Sequence, residues 1–296
     1  MRGKNTAMAD GNDKTGGRII LVPTPLGNLG DITKRALAAF ETADTVCCED
    51  TRVTGKLLAA LGISKRLERL DEAAITARAA EVVARAVAGE VIAFASDAGM
   101  PGVSDPGSRL VAAARAAGVP VEVLPGPSAA ATAYVAAGFG CPRYYFGGFF
   151  PRKSGERRET LEALRNLDAA LVFYESPNRV AGALEAIAGA LPLRRVAVCR
   201  ELTKLHEEVF MAPAPRAAEE FAAREVAGGV RGEIVLVIDG PTEGETAGRA
   251  ADALEAAAVR ADKLRDEGAS AKDIRDVLLA EFPISRNDAY RLAIGK

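Results

Sequence analysis

One histidine and four cysteines in 296 residues leave little with which to hold a metal. Cys47, Cys48, Cys141 and Cys199 show no paired ligand spacing, and His206 alone cannot complete a usual zinc set. The reading is a metal-free protein of a reducing compartment, with His206 a surface or hydrogen-bonded residue. Excess charge of one sign is also missing: 38 basic against 40 acidic residues give a formal net charge of −2. A chain so balanced does not grip nucleic acid by overall charge, so any such binding has to use a local patch. No stretch offers the roughly 18 uninterrupted apolar residues of a membrane helix. The segment 1–17 is polar, contains glycine and lacks an apolar signal core, so it is expected to be a disordered tail rather than a leader or anchor. Together these absences predict a cytoplasmic protein without membrane or metal.

What is present is a repeated unit: a short apolar run, a loop rich in glycine and proline, then a helix. At this length two domains and a small appendage are expected, and 49% apolar residues suffice for real cores. The central unit is the run Val91-Ile92-Ala93-Phe94-Ala95 followed by Ser96-Asp97-Ala98-Gly99-Met100-Pro101-Gly102-Val103-Ser104-Asp105-Pro106-Gly107. It reads as a buried strand emptying into a ligand loop. A second loop of this kind, Pro125-Gly126-Pro127-Ser128-Ala129-Ala130, follows Val121-Glu122-Val123-Leu124, with Ser128 offering a hydroxyl beside free backbone N–H groups. Open α/β sheets bind ligands outside the carboxyl ends of their strands, so the pair proposes a site; the alternative is two tight connections.

Earlier in the chain, Ile19 to Val22 is a strand leading to Pro23-Thr24-Pro25-Leu26-Gly27-Asn28-Leu29-Gly30-Asp31, which matches a dinucleotide fingerprint only loosely. Thr45 to Cys48 is a strand ending in Glu49-Asp50-Thr51-Arg52, a cluster that either orients a polar substrate or caps the next helix. The composition break at Gly138 to Pro142 sets a domain boundary, giving an N-terminal α/β domain over 18–140 and a C-terminal one over 141–240. In the second, strands are expected at 144–149, 169–174, 195–199, 207–211 and 232–238. Between them lie a basic loop at 151–158, Glu175-Ser176-Pro177-Asn178-Arg179 at a helix start, and Arg200-Glu201-Leu202-Thr203-Lys204 at a strand end. Residues 241–296 form a helical extension whose last helix pair either touches nucleic acid or docks on its own protein.

Six of these segments occur in register: the loop after Val22, Glu49-Asp50-Thr51-Arg52, Ser96 to Gly107, Leu124-Pro125-Gly126-Pro127, Phe173-Tyr174-Glu175-Ser176 and Arg200 to Lys204. Together they resemble the ribosomal RNA small subunit methyltransferase I group of the tetrapyrrole methylase superfamily, over roughly residues 18–240. The resemblance implies two α/β domains with S-adenosylmethionine in the cleft between them, a homodimer, and 2′-O-methylation of a cytidine in the decoding region of 16S rRNA within the 30S subunit. Departures from the group stand at Val53 and Met100-Pro101, and they weaken what it implies for those side chains. Two other functions are weighed beside it: a methyltransferase acting on a corrin precursor, and a non-catalytic RNA-binding assembly protein.

On this reading Leu26, Gly27, Ser96, Asp97, Ala98, Gly99, Pro101, Gly102, Pro125, Gly126, Ser128 and Ala129 hold the cofactor. The polar strand ends supply catalytic candidates: Glu49, Asp50 and Arg52 from the first half, Glu175, Glu201 and Lys204 from the second. Lys204 serves as base if its pKa is lowered, with Glu201 holding it or orienting the ribose. Arg143, Arg152, Lys153, Arg157 and Arg158 form either the patch that meets RNA phosphates or a solvated helix face.

Overall fold

Alternation within short apolar runs builds the first layer. The computed structural model describes residues 16–295, so the expected tail, apart from Gly16 and Gly17, lies outside the described residues. In chain order the first half comprises β1 (Arg18–Val22), a 3-10 turn (Leu29–Asp31), α1 (Lys34–Thr42), β2 (Thr45–Cys48), α2 (Thr51–Ala60), β3 (Leu67–Arg69), α3 (Glu72–Val87), β4 (Val91–Ala95), α4 (Gly107–Ala116) and β5 (Val121–Val123). The strands form one parallel sheet in the order β3-β2-β4-β1-β5. In β1, Ile19 and Leu21 face α3 and α4 while Ile20 and Val22 face α1 and α2. Both faces are thus covered, as a parallel sheet requires. Thr33 caps α1 by accepting from the Ala36 N–H at 3.0 Å.

The second half continues with α5 (Ala129–Ala137), β6 (Tyr144–Phe149), α6 (Ser154–Leu164), β7 (Ala170–Glu175), α7 (Val180–Ala190), β8 (Arg195–Arg200), β9 (Glu208–Pro213), α8 (Ala214–Val226) and β10 (Ile234–Ile238). Its sheet is mixed, ordered β6-β7-β10-β8-β9, with only β6 and β7 parallel. Leu161, Leu184 and Phe221 from α6, α7 and α8 fill one face. The opposite face is covered by Ala130, Ala133 and Ala137 of α5. By packing, therefore, α5 belongs to the second sheet, and the division between the layers falls in the loop before Ala129 rather than at 140/141. A helix of small residues with no polar face can lie flat on a sheet, which is why a composition break placed it with the first half.

Three helices complete the chain: α9 (Glu243–Asp266), α10 (Ala271–Glu281) and α11 (Arg286–Ala293). Ile274 and Leu278 of α10 and Ala289 and Ala293 of α11 pack on Ala257, Ala261 and Leu264 of α9. The helix pair thus docks on its own chain. The root of α9 is held by Arg194, which is fully buried, donates Nε to both Glu245 carboxylate oxygens at 3.2 Å, and also bonds the Arg165 carbonyl. Glu245 in turn closes a capping box with Thr242. Removing one partner of a buried pair leaves the other uncompensated. Arg194→Ala should therefore destabilise the protein by about 3 kcal/mol in urea unfolding, with proteolysis first cutting near Gly240-Pro241.

A candidate active-site cleft

Two loops of the first sheet are paired edge to edge. The Thr24 N–H donates to the Gly99 carbonyl and the Gly99 N–H donates to the Thr24 carbonyl, both at 3.0 Å. Thr24 Oγ1 donates to the Ser96 carbonyl at 3.1 Å, and Ser96 Oγ donates to the Gly99 carbonyl at 3.2 Å. Both hydroxyl residues are buried, so these bonds are shielded from water. Gly99 sits at φ +82°, and a Cβ there would come within 3.1 Å of Leu26 Cδ2. A side chain at this position would be both strained and crowded. Further along, Asp105 Oδ1 accepts from the N–H groups of Gly102 at 2.6 Å and Gly107 at 2.8 Å, which closes the loop onto α4.

These loops form one wall of a cleft of about 370 Å³. Leu26, Ser96, Asp97, Ala98, Gly99, Ser128 and Ala129 line it, as do Glu49 and Glu175. Ser128 occupies the N-cap of α5, yet its hydroxyl makes no capping bond. The remaining expected residues stand behind this lining: Gly126, with Pro125 before it, is pressed against the Pro23 ring, Pro101 and Gly102 belong to the turn after Gly99, and Gly27 lies under the Lys204 side chain. The opposite wall comes from the second half, as expected, but of its residues only Glu175 is named as a candidate from sequence. It includes Phe149, Tyr174, Gly232, Glu233, Ile234 and Val235, joined by Met100, Val103, Ser104 and Asp105 at the first loop. The rule that ligands meet the carboxyl ends of strands points away from β10, which is antiparallel, and Ile234 pairs with both Glu175 and Arg200. That register brings the amino end of β10 to the cleft.

Charge in the cleft is acidic. Glu49 Oε1 accepts from the Asp97 N–H at 3.2 Å, and Asp97 Oδ1 accepts from the Asp50 N–H at 3.1 Å. Burial raises the Glu49 pKa to about 7, with Asp105 and Asp97 adding repulsion against the bond from Asp97. Asp97 is likewise raised, chiefly by burial. Asp50 behaves oppositely: hydrogen bonds from the Arg52 side chain, at 2.6 Å to Oδ2, hold its pKa well below the usual carboxylate range. Asp50 also caps α2, as the capping reading of Glu49-Asp50-Thr51-Arg52 expects, while Glu49 lines the cleft.

Two expectations for the second half need correction. Lys204 does not have the lowered pKa that a base requires. Burial opposes its charge, but Glu201 at 2.9 Å and Glu233 at 3.1 Å outweigh that, and the pKa is raised. Arg157 does not face solvent: it is buried on α6, donates Nε to the Pro151 carbonyl at 2.8 Å and lies 5.7 Å over the Phe150 ring. Its guanidinium helps enclose Glu175, whose side chain is fully buried between Arg179 at 2.5 Å and Arg157 at 3.7 Å. Glu175 Oε2 is left with no hydrogen-bond donor. Of the other basic residues, Arg143 pairs with Asp168 and Lys153 with Glu156, while Arg152 and Arg158 form no ion pair among the described residues.

The described residues contain no group of three or more potential metal ligands and no helix long and apolar enough to cross a membrane. The sequence model of the family described as Tetrapyrrole (Corrin/Porphyrin) Methylases matches residues 18–218. A ribosomal RNA small subunit methyltransferase I of Escherichia coli O157:H7 is 42% identical over 230 residues, 77% of this chain and 79% of that protein. One of Micromonospora olivasterospora is 39% identical over 293 residues, covering 97% of this chain and 91% of its own. Among solved structures, uroporphyrin-III C-methyl transferase of Thermus thermophilus complexed with S-adenyl homocysteine superposes with a TM-score of 0.51 at 18% identity, covering 75% of this chain and 92% of that one. That likeness is one of fold.

A carboxyl whose folded pKa is raised binds its proton more tightly in the folded state, so its deprotonation opposes folding. Stability should therefore fall as pH rises from the ordinary glutamate range through about 7. Glu49→Gln keeps an oxygen for the Asp97 N–H and removes the ionisation. It should raise the melting temperature at pH 8 and leave it nearly unchanged at pH 5, as read by thermal unfolding.

Proposed function

Since the chain belongs to the tetrapyrrole methylase family, and within it to the ribosomal RNA small subunit methyltransferase I family, we propose that it is a S-adenosylmethionine-dependent methyltransferase for the ribose 2′-hydroxyl of a cytidine in 16S rRNA. It would act in the cytoplasm on the 30S subunit, as a homodimer; the exposed apolar side chains of Val135, Leu205 and Met211 support a protein partner. The observation that carries the mechanism is Glu49, a cleft carboxylate with a pKa near 7.

The residues present fit the cofactor. The cleft falls within the size range of small-molecule sites. Gly99 leaves open the space a Cβ would fill, Ser128 has an uncommitted hydroxyl, and Glu175 Oε2 is a buried acceptor without a donor. Leu26, Ile234 and Val235 supply apolar contact, and Asp97 and Asp105 supply negative charge suited to a sulfonium cation. When bound, S-adenosylmethionine supplies a methyl group open to in-line attack.

Glu49 would take the proton of the attacking hydroxyl onto its carboxylate while the bound cofactor supplies the methyl group. Aligning two bound reactants can contribute about 7–11 kcal/mol, whereas a base typically adds about 10²–10⁴-fold, so most of the acceleration lies in positioning. Loops pinned by the Thr24–Gly99 pairing are suited to that task. Lys204, charged and paired twice, neutralises Glu201 and Glu233 at the cleft edge instead of accepting a proton.

Single-turnover methylation of 30S subunits carrying unmethylated 16S rRNA should rise with pH to a plateau, with an inflection near 7. Glu49→Gln should lower the plateau by about a hundredfold and abolish the inflection, with cofactor affinity retained. A variant that keeps the wild-type profile would remove Glu49 as the base. Gly99→Val should lose cofactor binding in calorimetry while circular dichroism shows the fold intact, because the branched side chain meets Leu26.

A further inference from the structure

Edge strand β6 ends in a distortion. Its pairing with β7 keeps step from Tyr144 to Phe146 and slips before Phe149. Gly147 and Gly148 take up the slip. A Cβ on Gly147 would lie 2.2 Å from Cε1 of the buried Phe173 ring, and Gly148 sits at φ +69°. Irregularities of this kind at a sheet edge re-aim a side chain. The side chain re-aimed here is Phe149, which is 62% exposed and yet lines the cleft. Its ring stands edge-on to Tyr174, with centroids 5.6 Å apart at 72°. One face of the phenyl is left without a ring partner. The loop after β4 meets the same spot: a Cβ on Gly148 would be 3.5 Å from Oγ of Ser104, itself at φ +63°.

We infer that Phe149 is the platform on which the base of the target nucleotide stacks once that nucleotide has been drawn out of its RNA. The inference rests on the function proposed above and names the contact that selects its substrate. A ribose hydroxyl inside a paired helix cannot enter a cleft of about 370 Å³, so the nucleotide has to be unstacked first. Unstacked bases are held by aromatic side chains at the mouths of such sites. Glu49, Asp97 and Asp105 make the cleft hostile to phosphate, which favours a neutral face contact over an ionic one. The cofactor's adenine has the same stacking chemistry. Small ligands, however, bury 70–90% of their surface, which suits the depth beside Leu26, Ile234 and Val235 better than an exposed rim.

The test compares wild type, Phe149→Ala and Phe149→Trp in single-turnover methylation as the concentration of unmethylated 30S subunits is varied. Calorimetry with S-adenosylhomocysteine and sedimentation velocity accompany it. Phe149→Ala should raise the half-saturating 30S concentration by about tenfold or more, and Phe149→Trp should stay within about threefold of wild type. Cofactor-product affinity and sedimentation should match wild type in both. Wild-type saturation by the alanine variant overturns the inference. A parallel loss of S-adenosylhomocysteine affinity assigns the ring to the adenine, and an altered sedimentation coefficient assigns it to a subunit interface; either result overturns it as well. If wild type itself fails to methylate 30S subunits, the proposed function falls and the platform falls with it, whereas a failure of Phe149 alone leaves that function standing.

Discussion

The reciprocal pairing of Thr24 with Gly99 is the constraint on which the cleft depends. Parallel strands are hydrogen-bonded along their length, but the loops at their carboxyl ends normally diverge toward separate helices. Here the backbone pairing continues past β1 and β4, and the buried hydroxyls of Thr24 and Ser96 bond the same turn from the side. The loop carrying Leu26 and the loop carrying Asp97 to Asp105 are therefore one rigid surface. Asp97 extends that surface to β2, because it exchanges bonds with Glu49 and Asp50 through its backbone N–H and its carboxylate. Three strand ends are tied together by the side chains of Thr24, Ser96, Asp97 and Glu49, which is the kind of preorganisation that methyl transfer by alignment demands.

Charge is divided by depth. The cleft gathers Glu49, Asp97 and Asp105; burial, with added repulsion from the other two, lifts the Glu49 pKa to about 7. Around it, acids are consumed by cations: Asp50 by Arg52, Glu175 by Arg179 and Arg157, Glu201 and Glu233 by Lys204. The outcome inverts the roles that residue type alone suggests. Lysine is the cation that stays charged, and a glutamate is the group poised to exchange a proton at physiological pH.

Most of the strand and loop skeleton was legible because apolar runs of four to six residues followed by glycine and proline have few alternatives in a chain of this composition. β3 was not, since Leu67-Glu68-Arg69 is short and mostly charged, and it joins the sheet as an edge held by backbone pairing, by Leu67 on the core and by Glu68 paired with Arg78 and Arg85 of α3. The site was legible on the side built from parallel strands, where ligands meet carboxyl ends. It was hidden on the other side, where antiparallel pairing brings Ile234 and Val235 to the cleft from the start of a strand. Side-chain direction was equally hidden. Arg157 and Arg158 are neighbours in sequence, but on α6 one turns inward to Glu175 while the other turns outward, a distinction that only the helix's placement on the sheet decides.

The turn from Arg200 to Lys204 joins the two sheets through its backbone shape. Glu201 and Thr203 lie at φ +52° and +67°, and a left-handed conformation is costly for a β-branched residue such as Thr203. The turn is held in that shape by the Glu207 carboxylate on the Thr203 N–H at 2.6 Å, by the Lys204 N–H on the Glu201 carbonyl at 3.0 Å, and by the Glu233 N–H on Glu201 Oε1 at 2.9 Å. The strained turn lays the Lys204 stem across Gly27, where a Cβ would sit 2.3 Å from Lys204 Cγ. Gly27 is in the loop that the Thr24–Gly99 pairing immobilises. The turn of the second sheet thus lies in direct contact with the pinned loop of the first, and only a residue without a Cβ leaves room for that contact.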